Sequence, residues 1–167
     1  MQSSPEYLPY VIKDYPFWTL FLHKKQNPYV GRCYAWFKDK KPGDGEGMQA
    51  GAMSKEARGW LFDLIYWEVS IACFALGYST NRYGPKFLLN MCCLGNEPVH
   101  NHHMHWHFIP RSAHPIVLEQ IDLRVQDFEW EHNYAKPALG EHELDEERLQ
   151  FIRARMATAI GGVIRPR

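Results

Sequence analysis

The stretch His103-Met104-His105-Trp106-His107-Phe108-Ile109 contains three histidines that alternate with apolar residues. Neighbouring side chains of a strand point to opposite faces, so a strand here places all three imidazoles on one face and Met104, Trp106 and Phe108 on the other. We therefore predict a strand of a half-buried sheet, with a core on its apolar face and a polar site on its histidine face.

Further strands are predicted on both sides of this stretch. Runs rich in aromatic and β-branched residues, bounded by Pro or Gly, indicate strands at 16–22, 29–37 and 87–94, and weaker ones within 116–130. Several short strands around one histidine-bearing strand favour a sheet as the centre of the fold.

Two stretches have apolar residues at helical spacing. The first runs from about Ser54, a suitable N-cap, to Leu76, with Gly77 as a stop signal, and the second runs from about Asp145 to Ile160. The order of strands, helix, strands and helix predicts an α+β fold, in which a long helix covers an antiparallel sheet and a C-terminal helix follows.

The first predicted helix is also apolar away from its main face, at Phe62, Tyr66, Val69 and Phe74. A helix that is apolar on more than one side is expected to be buried on more than one side. This pattern indicates a subunit interface, and we expect a homodimer.

Composition indicates a folded protein of one domain. The 167 residues are 46% hydrophobic and 14% aromatic, which is enough for one hydrophobic core within the usual size of a domain. We predict a single domain over 1–167, with its core at about 7–160 and a surface loop at about 39–49, where Gly and Pro are dense.

Charge limits the partners of the chain. Lys plus Arg and Asp plus Glu number 19 each, and the zero net charge argues against bulk binding to nucleic acid or to anionic membranes. No apolar run approaches the roughly 20 residues that span a bilayer, and no secretory signal pattern opens the sequence. We expect a cytoplasmic protein whose four cysteines are reduced and belong to the core, as free cysteines usually do.

The histidine cluster is compatible with more than one kind of site. Nine histidines occur in the chain, and five lie between His100 and His107. A purely structural role is disfavoured, because three imidazoles buried together would all need hydrogen-bond partners. A metal site is an alternative, with two ligands from His-x-His and a thiolate from Cys92 or Cys93, although no Cys-x-x-Cys or His-Glu-x-x-His pattern supports it.

Nucleophilic catalysis at phosphorus would use all three histidines. The central imidazole attacks a phosphoryl group, while the imidazoles on either side orient it and stabilise the developing charge. Water then releases the product. This chemistry requires neither a metal nor another cofactor, and we expect none.

The stretch, continued by Pro110-Arg111, resembles the His-φ-His-φ-His-φ-φ signature of the histidine-triad (HIT) superfamily, where φ is apolar. Residues 105–111 are similar to members described as diadenosine tetraphosphate hydrolase-like. The similarity extends over about 7–160 and includes Trp18, Gln26, Gly31-Arg32-Cys33, Leu88-Leu89-Asn90 and Leu94-Gly95-Asn96.

The resemblance implies a HIT-like fold and an enzyme that cleaves a nucleoside phosphate derivative at its α-phosphorus. It implies that His105 forms a nucleotidyl-histidine intermediate, with His103 and His107 as supporting groups. It also implies that Asn90 and Asn96 contact the ribose or phosphate of the nucleotide. Whether the substrate is a dinucleoside polyphosphate or a nucleoside phosphoramidate stays open, and a catalytically silent nucleotide-binding or interaction domain is an alternative.

Two features depart from the family pattern. The segment before the triad is longer than usual and adds His100 and His102, which either contact phosphates or are solvated. The early-strand histidine of many members is missing, and Arg32 or Lys38 is expected to contact phosphate instead. A surface ion pair is the alternative for Arg32.

Overall fold

A computed structural model of the protein describes residues 8–38, 53–79, 87–93, 105–128, 130 and 142–161. Its strands are β1 Val11–Asp14, β2 Trp18–Leu22, β3 Lys25–Asn27, β4 Cys33–Phe37, β5 Phe87–Cys92, β6 His105–Ser112, β7 Ile116–Leu118, β8 Leu123–Val125 and β9 His142–Glu143. Five of them form an antiparallel sheet in the order β1-β2-β4-β6-β5, and β3 with β9 and β7 with β8 form two small sheets. The predicted α+β class with an antiparallel sheet is confirmed.

The first predicted helix is present but is not uniform. It consists of α1 (Lys55–Gly59), a π-helical segment (Trp60–Ile65) and α2 (Tyr66–Ala75) in direct succession. Its start is the one expected, because the Ser54 hydroxyl accepts a hydrogen bond from the Ala57 N–H. The second helix, α3 (Glu146–Ala159), is likewise capped by the Asp145 carboxylate, and short 3₁₀ turns lie at Leu8–Tyr10 and Glu119–Ile121.

The helix covers one face of the central sheet. The Phe62 ring lies 5.4 Å from the Trp106 ring and the Tyr66 ring 6.5 Å from the Phe108 ring, measured between centroids. Trp18, which is fully buried, donates from Nε1 to the Ala57 carbonyl. The apolar side chains of β6 therefore pack on the helix, and its histidines point away from it, as the alternation predicts.

Strand bounds differ from the predicted ones where local turns intervene. The strand expected at 29–37 begins only at Cys33, because the Arg32 N–H bonds to the Tyr29 carbonyl and closes a turn. β6 continues past Ile109 to Ser112, since all of β5 pairs with residues 107–112 of β6. The short strands β1, β3 and β9 were not predicted, and His103 and the predicted loop at 39–49 lie outside the described residues.

The cysteines are all free thiols, and only two of them are core residues. Cys33 and Cys73 are buried, as expected, whereas Cys92 is half-buried and Cys93 is exposed. The assignment of Cys93 to the core is wrong, because this residue follows the edge strand β5 and is exposed, whereas Cys92 packs against the small buried cluster of Tyr29 and Ile109. No helix among the described ranges is both long and apolar enough to cross a membrane.

The end of the helix contacts the turn that precedes β4. Gly31 in that turn has φ +86°, and a Cβ added there would lie 2.8 Å from Cδ1 of the buried Leu76. Gly77 ends the helix at a similar φ of +95° with no atom within 4 Å of such a Cβ. Both positions favour glycine, but only Gly31 also requires the absence of a side chain.

We predict that Gly31→Ala lowers the free energy of unfolding more than the matched control Gly77→Ala. Both variants incur the left-handed backbone penalty of about 1–2 kcal/mol, and Gly31→Ala adds about 1 kcal/mol for the collision with Leu76. Urea denaturation of the two variants measures the difference. Equal destabilisation would contradict the close approach of Leu76 to Gly31.

Candidate active site

Two of the three triad histidines lie within the described residues and share one face of β6. The His105 and His107 rings are 4.8 Å apart, with an interplanar angle of 69°. The register places Trp36 beside His105, and Tyr34 and Cys92 on either side of His107. His105 and His107 therefore form one imidazole pair on β6, the strand next to the edge strand β5.

His107 is a buried and neutral imidazole. Burial, together with repulsion of the charged form by the adjacent His105 and Arg32, lowers its pKa to about 3. Its Nδ1 is buried and has no hydrogen-bond partner among the residues that the structure describes. At neutral pH His107 therefore has one nitrogen that donates a hydrogen bond and one that accepts.

Arg32 is buried next to this pair, with 5% of its surface exposed. Its positive charge lowers the pKa of His23 and of His107, and it opposes the rise that burial causes in the pKa of Cys92. One guanidinium thus acts on residues of β5, of β6 and of the segment that follows β2. Arg32 is therefore not a surface residue, as the alternative of a surface ion pair had assumed.

His23 is a residue of the site that sequence reasoning missed. It follows β2, and its ring lies 6.0 Å from the His107 ring and 6.2 Å from the Tyr34 ring. Burial lowers its pKa to about 3, with further contributions from Arg32, His107 and Lys25. The available signal was its spacing, since His23 follows Phe21 by two positions and therefore continues the same strand face.

Gln26 holds His23 and Arg32 next to each other. Its amide nitrogen donates to the His23 carbonyl at 2.5 Å and to the Arg32 carbonyl at 2.8 Å, while its amide oxygen accepts from the Gly31 N–H at 2.7 Å. The His23 N–H also donates to the Arg32 carbonyl at 3.0 Å. Gln26 is completely buried, so water does not compete for these bonds.

Aromatic side chains form the wall of the site on the β2 and β4 side. The Phe21 and Tyr34 rings stack at 5.4 Å with an interplanar angle of 18°, and the Tyr34 ring stands edge-on to His105 at 6.0 Å. Trp36 is half-buried beside them. Tyr34 and Trp36 therefore line the histidine face, whereas Trp18 belongs to the core under the helix.

The remaining predicted site residues are only partly described. Asn90 is half-buried on β5, opposite Ile109 and two positions before Cys92, so it shares the histidine face. Asn96 and His103 lie outside the described residues, and so do the additional histidines at 100 and 102. The structure thus brings together His105, His107, Arg32 and Asn90 on one face of the sheet.

A second buried arginine on the same face is engaged elsewhere. Arg111, near the end of β6, forms a buried ion pair with Asp127 and lies over the Tyr29 ring at 5.4 Å. Its charge is therefore compensated by a carboxylate. Within the described ranges, no group of three or more His, Cys, Asp or Glu side chains is arranged to hold a metal ion.

Comparisons with known proteins agree with this geometry at the level of the fold. No protein-family model matches the chain, and no curated protein matches it. Among solved structures, it is similar to a hypothetical histidine triad nucleotide-binding protein from Sulfolobus tokodaii, with a TM-score of 0.51, 15% identity, and coverage of 91% of this chain and 83% of that one. A Hit-like protein involved in cell-cycle regulation from Bartonella henselae aligns with a TM-score of 0.43 and 14% identity, over 89% and 85% of the two chains.

The archaeal structure matches nearly the whole length of both chains, although few residues are identical. Likeness of this kind reports the course of the backbone, not the chemistry of a site. The chain therefore has the fold of the histidine-triad proteins.

Proposed function

We propose that the protein is a nucleotide hydrolase or transferase that cleaves a nucleoside phosphate derivative at its α-phosphorus through a nucleotidyl-histidine intermediate on His105. The observation that carries the proposal is the imidazole pair on β6, with the His105 and His107 rings 4.8 Å apart beside the buried Arg32. The histidine-triad fold supports the same reading by analogy.

The reaction would proceed in two displacements. An imidazole nitrogen of His105 attacks the α-phosphorus, a nitrogen–phosphorus bond forms, and the bond to the leaving group breaks with its electron pair. The leaving group takes up a proton where it needs one. Water then attacks the same phosphorus, loses a proton, and releases the nucleoside monophosphate and free His105.

The neighbours of His105 would each have a distinct task. His107 is neutral, since burial lowers its pKa to about 3, so it would orient His105 or a phosphoryl oxygen by a hydrogen bond. Arg32 would stabilise the negative charge that develops on the phosphoryl oxygens. His103 as a further supporting group, and Asn90 and Asn96 as contacts to the nucleotide, complete the proposed set.

We predict that His105→Ala abolishes turnover, whereas His107→Ala leaves a residual rate, because only the first change removes the nucleophile. Quenching the wild type during turnover of an α-phosphate-labelled substrate should place the label on His105 in peptide mass spectrometry. His114→Ala, which alters an exposed histidine, is the matched control and should keep the wild-type rate.

Two results would contradict this assignment. One is label on a different residue, and the other is a His105→Ala variant with near-normal kcat. A wild type that binds a nucleotide but releases no mononucleotide from either substrate class would favour the second candidate, a catalytically silent nucleotide-binding domain. Equilibrium binding of AMP to the same preparations separates that case from a misfolded protein.

We also predict that turnover does not depend on a bound metal ion. The proposed groups supply the nucleophile, the hydrogen bonds and the positive charge that the reaction needs. Dialysis against a chelator should leave kcat within about twofold of its starting value. Stoichiometric zinc, loss of activity on its removal and recovery on its return would contradict the prediction and favour the metal site.

We further propose that the chain forms a homodimer through β5, which is an edge strand of the sheet that the described residues form. This strand is an uncharged edge of the central sheet with no proline, and such edges pair readily with a second copy. Exposed apolar side chains lie beside it, with Tyr66 donating to the Leu89 carbonyl, Phe74 against Phe87, and Leu88 56% exposed. A second antiparallel copy would bury both the edge and these side chains.

The dimer proposal predicts that Leu88→Glu converts the protein to a monomer, because it places a charge at an exposed apolar position of the proposed interface. Val117→Glu is the matched control, since Val117 is an exposed apolar residue on β7. Light scattering on a sizing column should give twice the 19.6 kDa chain mass for the wild type and the control. A monomeric wild type, or an unchanged Leu88→Glu dimer, would contradict the proposal.

A further inference from the structure

His23 and Arg32 form a pair at one end of the site, beyond the two histidines of β6. Their backbones are joined by the hydrogen bond from the His23 N–H to the Arg32 carbonyl. The buried Gln26 amide bonds to both carbonyls and so fixes the two residues relative to each other. The pair is therefore a pre-organised part of the site.

The His23 imidazole presents a defined hydrogen-bond donor. Its Nδ1 accepts from the Lys25 N–H at 3.0 Å, so Nδ1 carries no proton. Burial lowers the pKa of His23 to about 3, and the ring is neutral at neutral pH with its single proton on Nε2. The Nε2–H is available to donate to an acceptor without adding a second positive charge beside Arg32.

The position of the pair indicates which part of a substrate it would contact. The His23 ring lies 6.0 Å from the His107 ring, which lies 4.8 Å from the His105 ring. His23 is thus a neighbour of His107, which in turn is the neighbour of the proposed nucleophile His105. A group held there would be farther along the substrate than the phosphorus that His105 attacks, and the charge of Arg32 favours an anionic group.

We propose that His23 and Arg32 form a second anion subsite, which binds a phosphate of the substrate beyond the one that is attacked. This inference rests on the proposed function and deepens it, because it selects a polyphosphate chain over an amine leaving group. His23 donates from Nε2 to an oxygen of this phosphate, Arg32 supplies positive charge to this phosphate as well as to the attacked phosphoryl group, and Gln26 is the positioning residue that holds His23 and Arg32 together.

The test uses two variants of His23, each of which keeps the hydrogen-bonding function of only one of the two ring nitrogens. In His23→Asn the side-chain oxygen can still accept from the Lys25 N–H, but the distal donor is lost. In His23→Gln the longer side chain keeps an N–H donor near the position of Nε2 and gives up the bond to Lys25. A structural role of His23 and a substrate-binding role of His23 therefore predict opposite results for the two variants.

The readout is the ratio of kcat/KM for diadenosine tetraphosphate to kcat/KM for adenosine 5′-phosphoramidate, which share the adenylyl group. We expect the ratio to fall about tenfold in His23→Asn, the usual effect of one lost hydrogen bond to a charged group, and to stay within twofold in His23→Gln. His114→Asn, at an exposed histidine, controls for the substitution itself. An unchanged ratio in His23→Asn would overturn the proposal.

A binding measurement keeps the inference testable if neither substrate is turned over, in which case the proposed function fails. Calorimetric titration with inorganic tripolyphosphate and with inorganic phosphate would then compare the same variants. About tenfold weaker tripolyphosphate binding in His23→Asn, with His23→Gln near the wild type, would support the subsite. Equal affinities of wild type and His23→Asn for tripolyphosphate would overturn it.

Discussion

Hydrogen bonding of β6 on both of its edges is the constraint on which the rest of the structure depends. With β4 on one side and β5 on the other, its register is fixed, and every second side chain must face the helix. Phe108 is thereby buried in the core while His105 and His107 are held on the opposite face. A shift of the β6 register by one residue would turn the histidines toward the helix and the apolar side chains away from it, so that both the core and the site would be lost.

The site on that face combines neutral histidines with a buried cation. A guanidinium inside a protein is costly unless hydrogen bonds and charges compensate it, and here its presence helps to keep His23 and His107 uncharged. In this arrangement the arginine supplies the positive charge that an anionic substrate needs, and each neutral imidazole has one nitrogen that donates a hydrogen bond and one that accepts. Arg111, paired with Asp127, lies outside this arrangement.

The sequence predicts those parts of the molecule that repeat a pattern. The alternation in β6 and the capped helix starting after Ser54 are periodic signals, and both are found in the structure. The spacing of His23 after Phe21 continues one strand face, but a single histidine there points to no site until the register places it near His107. The burial of Arg32 likewise depends on residues distant in sequence, and a strand as short as β1 contains too few residues for a periodicity to be recognised.

The central claim is that a histidine attacks phosphorus before water does, and the stereochemical course at the α-phosphorus tests it most directly. A substrate whose α-phosphorus is made chiral with sulfur and an oxygen isotope would be hydrolysed in isotopically labelled water. Two successive in-line displacements, the first by His105 and the second by water, predict net retention of configuration. Net inversion would mean a single direct attack by water and would contradict the covalent account.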